Sequence, residues 1–355
     1  MAAYTTIDNP ELYFQCKLFT GTGSSNAITL DGEEDMQPDL VIVKRRNSAG
    51  GNMYTDSVRG VQETIISNED SAEQTFSNGL TAFGSDGFTV GSESGFNNSS
   101  DTFVAWCWKA GTTWSNDASA TSIGSLDSNG SKNATSKFSV FKYDSSRTPS
   151  ATQTVAHNLG STPEVLLFKN TQMTTHWLFW TKDIATNQHL WLDVTDALKT
   201  DSGSFDNTAP NSTVVTINGD ARVNSTTDGH TIICYAWDMV QGFSKTGTYT
   251  GNGNANGPFV YTGFRPALII LKRTDTAKNW YFTDAKRKGY NNDNPYLSPN
   301  LNAAETGGTE VDLLSNGFRI TASGTGHNQS GGDYLYVAFA EAPFVNSKGV
   351  PCNAR

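Results

Sequence analysis

Pro38-Asp-Leu-Val-Ile-Val-Lys44, Pro163-Glu-Val-Leu-Leu-Phe-Lys169 and Pro266-Ala-Leu-Ile-Ile-Leu-Lys272 are one word written three times, with Lys six residues after Pro in each. A short apolar run of this kind reads as a strand buried on both faces, or crossing the centre of a sandwich. Pro suits its first position, where no ladder donor is required, and the Lys is expected to mark the exit into solvent. Three such words define a period, and a period of this length sets the fold before any other motif does.

The same order of signals surrounds each word. Eighteen residues after the Pro stands Asp56 in the first copy and Asp284 in the third, within Tyr54-Thr-Asp-Ser-Val-Arg59 and Phe282-Thr-Asp-Ala-Lys-Arg287. The pairs Asp56/Arg59 and Asp284/Arg287 are expected to be structural, pinning the chain after the strand by a charge-assisted bond. The second copy keeps only Trp180-Thr181, so Tyr54, Trp180 and Phe282 align as equivalent rings. Ser85-Asp-Gly, Ile217-Asn-Gly and Ser315-Asn-Gly read as hairpin turns. Closing strands follow at Phe103-Val-Ala-Trp106, Cys234-Tyr-Ala-Trp237 and Tyr336-Val-Ala-Phe339, in which Ala105, Ala236 and Ala338 align as one small-residue site.

The expected fold is therefore all-β: three tandem antiparallel β-sandwich repeats of about 100 residues, lectin-like or jelly-roll-like. Boundaries fall at 1–110 for the first repeat with a short N-terminal segment, 137–241 for the second, 242–345 for the third and 346–355 for a tail. Residues 111–136, rich in Ser, Thr, Asn and Gly, read as a linker.

Composition agrees. Hydrophobic residues make up 36% of the 355 positions, below the ~45–50% typical of globular chains, which points to thin layers of core. The formal charge of −10 repels a phosphate backbone, so nucleic acid is not an expected partner. No run approaches the ~18 apolar residues of a membrane span, and membrane insertion is not expected either. Cys16, Cys107, Cys234 and Cys352 are too scattered for a disulfide framework or a zinc site and read as free thiols.

Catalytic patterns are not found in the sequence. His157, His176, His189, His230 and His327 lack metal-ligand spacing, and there is no nucleophile elbow or phosphate loop. Neither a cofactor nor a metal is called for. Asp31-Gly-Glu-Glu-Asp35 does not match a calcium loop and reads as solvated. Aromatic side chains in polar stretches are the candidate ligand contacts, because a flat ring stacks on a sugar while neighbouring polar groups bond its hydroxyls. They are Trp114, Trp177, Trp280, Tyr290 and Tyr296.

The words Pro-Asp-Leu-Val-Ile-Val-Lys, Asp-Ser-Val-Arg-Gly, Ser-Asp-Gly-Phe-Thr-Val-Gly and Val-Ala-Trp-Cys-Trp-Lys-Ala, with Val337-Ala-Phe-Ala-Glu-Ala-Pro-Phe344 near the end, resemble a repeat of virion proteins of marine tailed bacteriophages. The resemblance spans roughly residues 4–345 and implies a structural, non-enzymatic protein of the tail-fibre or host-recognition type. It implies a place on the virion surface after assembly in the bacterial cytoplasm, other virion proteins as partners, and a host glycan or protein as ligand. A homotrimer fits such an appendage. A capsid decoration protein is the architectural alternative, and a polysaccharide depolymerase the enzymatic one. The second copy departs most, having lost the Asp-x-x-Arg word and the Phe after Asn-Gly.

Overall fold

The computed structural model describes residues 3–146, 152–201, 203–225, 227, 229–287, 291 and 293–352. The protein is nearly all β, with its described strands in six sheets whose named pairings are all antiparallel. Three of these sheets share one strand order. In the first, the opening strand Phe14–Thr20 lies beside the closing strand Thr102–Trp108, followed by Leu40–Arg45 and Asn52–Asp56. The second repeats this with Phe138–Asp144, Thr231–Trp237, Val165–Asn170 and Leu178–Thr181. The third does so with Ser244–Thr250, Asp333–Pro343, Phe264–Arg273 and Trp280–Asp284.

Each large sheet is covered on one face by a smaller sheet and on the other by its two counterparts. Successive side chains on a strand alternate in direction. Val41, Val43, Met53, Phe103 and Cys107 accordingly pack on Ile28, Leu80 and Phe88 of the small sheet, whereas Leu40, Ile42, Tyr54, Trp106 and Trp108 enter a core common to all three segments. This is why the Pro-led words are apolar throughout. At the centre Trp108, Trp237 and Phe339 form a closed triangle, with ring centroids 6.2, 5.3 and 6.2 Å apart. Beside it a void of about 30 Å³ is walled by equivalent residues, including Ile42, Leu167 and Ile270, and Tyr54, Phe179 and Phe282.

Register corrects two alignments made from words. Val41, Leu166 and Ile269 stand opposite Cys107, Ala236 and Ala338, so Ala105 is level with Cys234 instead. A slip of two residues preserves which face a side chain takes, so the pattern could not reveal it. Phe179, not Trp180, is the counterpart of Tyr54 and Phe282, since it faces Leu167 as they face Ile42 and Ile270. This slip of one residue changes the face: Trp180 belongs to the local core of the second segment. Thr181 consequently occupies the place of Asp56 and Asp284.

The repeated lysines do not exit into solvent. Lys44, Lys169 and Lys272 are fully buried, and each ammonium donates to backbone carbonyls of its own loop and of the neighbouring segment. Lys44 Nζ reaches Leu301 O at 3.0 Å, Lys169 Nζ reaches Asp70 O at 3.1 Å, and Lys272 Nζ reaches Thr195 O at 3.2 Å. Asn52, Trp177 and Trp280, each level with its lysine, donate to the same neighbouring loops: Asn52 to Pro299 O, Trp177 to Glu69 O and Trp280 to Trp191 O. The first segment thus donates to the third, the second to the first and the third to the second. Such head-to-tail contacts close into a ring.

A second set of contacts runs round the same ring. Tyr235 Oη donates to Asp56 Oδ2 at 2.8 Å, and Trp106 Nε1 donates to Asp284 Oδ2 at 3.0 Å. Both carboxylates are held by their own arginines, Arg59 and Arg287, at 2.6 Å. At the third junction Thr181 replaces the carboxylate, Ile184 stands where the arginine would be, and Val337 occupies the donor's position. Acceptor, counter-charge and donor are absent together, so the exchange at these three positions strands no buried charge.

Two further expectations are corrected. Residues 111–136 are not an irregular linker: Thr112–Asn116 and Ser128–Asn133 form a hairpin that extends the second large sheet beyond its opening strand. The Ile217-Asn-Gly turn leads into no returning strand among the described residues, because Val214–Ile217 pairs only with Gln153–Ala156.

Asp284→Thr, by leaving buried Arg287 without its nearest counter-charge, should cost about 3–5 kcal/mol in urea unfolding. Adding Arg287→Ile copies the pair that the second segment carries and should recover part of that loss. Acid should destabilise the fold before carboxylates titrate. His157, His189 and His327 are held down to about 4, chiefly by burial, against roughly 6.5 when unfolded. The unfolded chain therefore binds more protons between those values, and the melting temperature should fall as pH drops from about 6.5 towards 4. Burial holds Asp193 and Glu310 above their usual range, which offsets part of the fall.

Candidate functional site

The hairpin that replaces the expected linker builds a broad groove of about 720 Å³. Its close approach to the sheet needs Gly130, where a Cβ would stand 2.2 Å from Val140 O. The connection between its strands is tied down by its own polar side chains. Asp117 accepts from Ala120 N at 3.0 Å and from the Ser119 hydroxyl at 2.7 Å, while Asp127 accepts from Ala118 N at 2.8 Å. Asn116 donates to Ile123 O at 2.9 Å and accepts from the Thr121 hydroxyl at 2.8 Å.

Strand pairing then sets Ser115, Asn129 and Lys142 side by side in one row across three strands. Ser115 and Asn129 are exposed and Lys142 is half-buried. Exposed Asp117, Asp127 and Asp144 contribute carboxylates to the groove. Asp144 accepts from the Thr231 hydroxyl at 2.7 Å. The Ser119 hydroxyl, followed by the Ala120 amide, holds the Asp117 carboxyl below its usual range, so it remains an acceptor in mild acid. Among the described residues no His, Cys, Asp or Glu group is arranged to hold a metal ion. The chemistry on offer is hydrogen bonding spread along an open surface.

The aromatic candidates fare differently. Trp177 and Trp280 are fully buried at the junctions between segments and cannot stack on a ligand. Trp114 lies half-buried on the hairpin, 6.2 Å from Phe141 and turned towards the local core. Tyr296 is half-buried, edge-on to Tyr281 at 5.0 Å and 5.7 Å from His327. Tyr290 lies outside the described residues. The arginine–carboxylate pairs belong to the junctions and not to a surface site.

Two features escaped sequence reasoning. The groove residues Ser115, Asn129 and Lys142 were obscured by the linker-like composition around them; the alternation in Thr112-Thr-Trp-Ser-Asn116 was the available signal. Phe259 and Tyr261, 50% and 46% exposed, were overlooked because they sit in a short strand beside a glycine-rich loop. Asp31, in the acidic stretch, meets Lys17 at 3.6 Å and Lys286 at 3.5 Å. Cys16, Cys107 and Cys234 are buried free thiols, and Cys352 is a partly exposed one. No helix is long and apolar enough to cross a membrane among the described residues.

No curated protein and no solved structure matches the chain. One family does, through a domain of unknown function, over residues 9–343. That match begins just before the opening strand of the first large sheet and ends with the closing strand of the third. It covers the whole closed ring and not one segment of it, and the chain belongs to the DUF7483 family.

Proposed function

We propose that the chain is three copies of one antiparallel sandwich module, and that it serves as a surface component of a bacteriophage virion, of the tail-fibre or adhesin type, recognising a host-surface glycan or protein. The observation that carries the recognition reading is the hairpin groove. The framework common to the three copies is consumed by packing, whereas a broad polar concavity is built by an element that the second copy alone inserts before its opening strand. Its Ser, Asn, Asp and Lys side chains supply both donors and acceptors, the combination that orients a hydroxyl-rich surface ligand.

The ring also bears on assembly. The apolar faces that separate modules would use to form a trimer are enclosed within a single chain, centred on Trp108, Trp237 and Phe339. This supports a particle part that acts as one preassembled unit. The virion setting itself rests on the resemblance of the repeated words.

Asn129→Ala with Lys142→Ala should reduce attachment of the labelled protein to susceptible marine bacteria by about tenfold, as expected from losing one or two ligand hydrogen bonds. The melting temperature should be unchanged, since neither side chain is buried in the core. Undiminished attachment by the double variant would remove the groove from recognition.

A further inference from the structure

We propose that a second groove, at the junction of the second and third segments, binds a neutral pyranose of a glycan by stacking it on Tyr261. The inference extends the recognition reading to a different surface, and it rests on that reading only for the biological source of the sugar.

Packing does not require the exposed rings. Phe259, Val260 and Tyr261 form an edge strand of the third small sheet, in which Val260 turns inward opposite Phe318. The first segment solves the same problem with Ala27, Ile28 and Thr29, Ile28 turning inward opposite Phe88. The fold is therefore served by small side chains at the flanking positions. Two large rings left in water there carry an apolar cost that a ligand face would relieve.

Tyr261 is also held in place. Tyr4 Oη donates to Gly263 O at 2.9 Å, which leaves the Tyr261 hydroxyl as donor to Tyr4 Oη, also at 2.9 Å. Lys245 Nζ bonds Tyr261 O at 2.7 Å and lies 5.4 Å from the ring centroid. The ring borders a groove of about 360 Å³ whose opposite wall comes from the second segment. There Glu164 Oε1 accepts from Lys182 Nζ at 2.9 Å. Gln241 adds an exposed amide.

The chemistry selects the ligand class. A ring platform facing a carboxylate, an ammonium and an amide matches a pyranose, which has an apolar C–H face and a rim of hydroxyls. The Glu164–Lys182 pair on the groove wall offers a sugar hydroxyl both an acceptor and a donor. Lys182 and Lys245 are balanced by Glu164 and by Asp183, which accepts from the Thr246 hydroxyl across the same junction at 2.8 Å. With Asp183 behind the lining offsetting the second ammonium, a neutral sugar is favoured over an acidic or basic one.

Ligand-observed NMR on the full chain with maltotriose, cellotriose and mannotriose tests this. At least one trisaccharide should bind, with its C–H protons shifted upfield by the Tyr261 ring. Tyr261→Ala should weaken binding by about tenfold or more, Tyr261→Phe should retain it, and Glu164→Gln should weaken it. The hairpin variant Asn129→Ala with Lys142→Ala should bind the trisaccharide as the unaltered chain does. Equal binding by Tyr261→Ala, or no binding of any of the three sugars, overturns the proposal. Cell attachment that depends on the hairpin groove without trisaccharide binding would leave the recognition reading standing and remove this site alone.

Discussion

Each large sheet has two apolar faces but only one small sheet of its own to cover them, and this imbalance governs the rest of the molecule. The uncovered faces can be buried only against one another. Three twisted sheets do so around Trp108, Trp237 and Phe339, whose rings touch pairwise at the centre. Apolar packing of this kind is strong but indifferent to direction. It brings the sheets together without fixing how far each rotates or slides.

Direction comes from buried polar groups. A lysine ammonium needs several acceptors once removed from water, and the carbonyls offered to Lys44, Lys169 and Lys272 come partly from the next segment in the ring. Each donor is satisfied only when the neighbouring loop is correctly placed, so a misplaced segment bears the cost of a buried unpaired charge. The carboxylates of Asp56 and Asp284 add a second constraint at two junctions, through Tyr235 and Trp106. The third junction carries Thr181 and Val337 instead, and is held by the Lys272 and Trp280 contacts and by the Thr246–Asp183 bond, without a buried ion pair among the described residues. Polar specification is thus unequal around the ring, although the packing is shared.

The second segment and its boundary with the third are also where the molecule shows most individuality. The second segment gains the hairpin 112–133, and its boundary with the third carries the exposed Tyr261 groove. Trp177 and Trp280, which look like ligand platforms in their polar surroundings, are drawn into the ring because their indole N–H groups satisfy carbonyls of adjacent segments. An aromatic residue beside polar neighbours in sequence can be surrounded by apolar neighbours from elsewhere in the chain. Surface chemistry is consequently left to groups outside the shared framework.

The amino-acid sequence by itself determined the strands, their alternation and their threefold recurrence, because these depend on neighbours along the chain: a Pro at a strand start, an apolar run, a glycine turn. It also paired Asp56 with Arg59 and Asp284 with Arg287, three residues apart. Only the tertiary structure decided what those elements meet. A side chain at the end of a strand reads as solvated until two carbonyls of its own loop and one from another segment converge on it, as happens at Lys169. Likewise, a segment rich in Ser and Asn reads as a linker until an unpaired strand edge supplies its hydrogen bonds, as Phe138–Asp144 does for the hairpin. Local sequence sets conformation and direction, whereas burial depends on contacts between residues far apart in the chain.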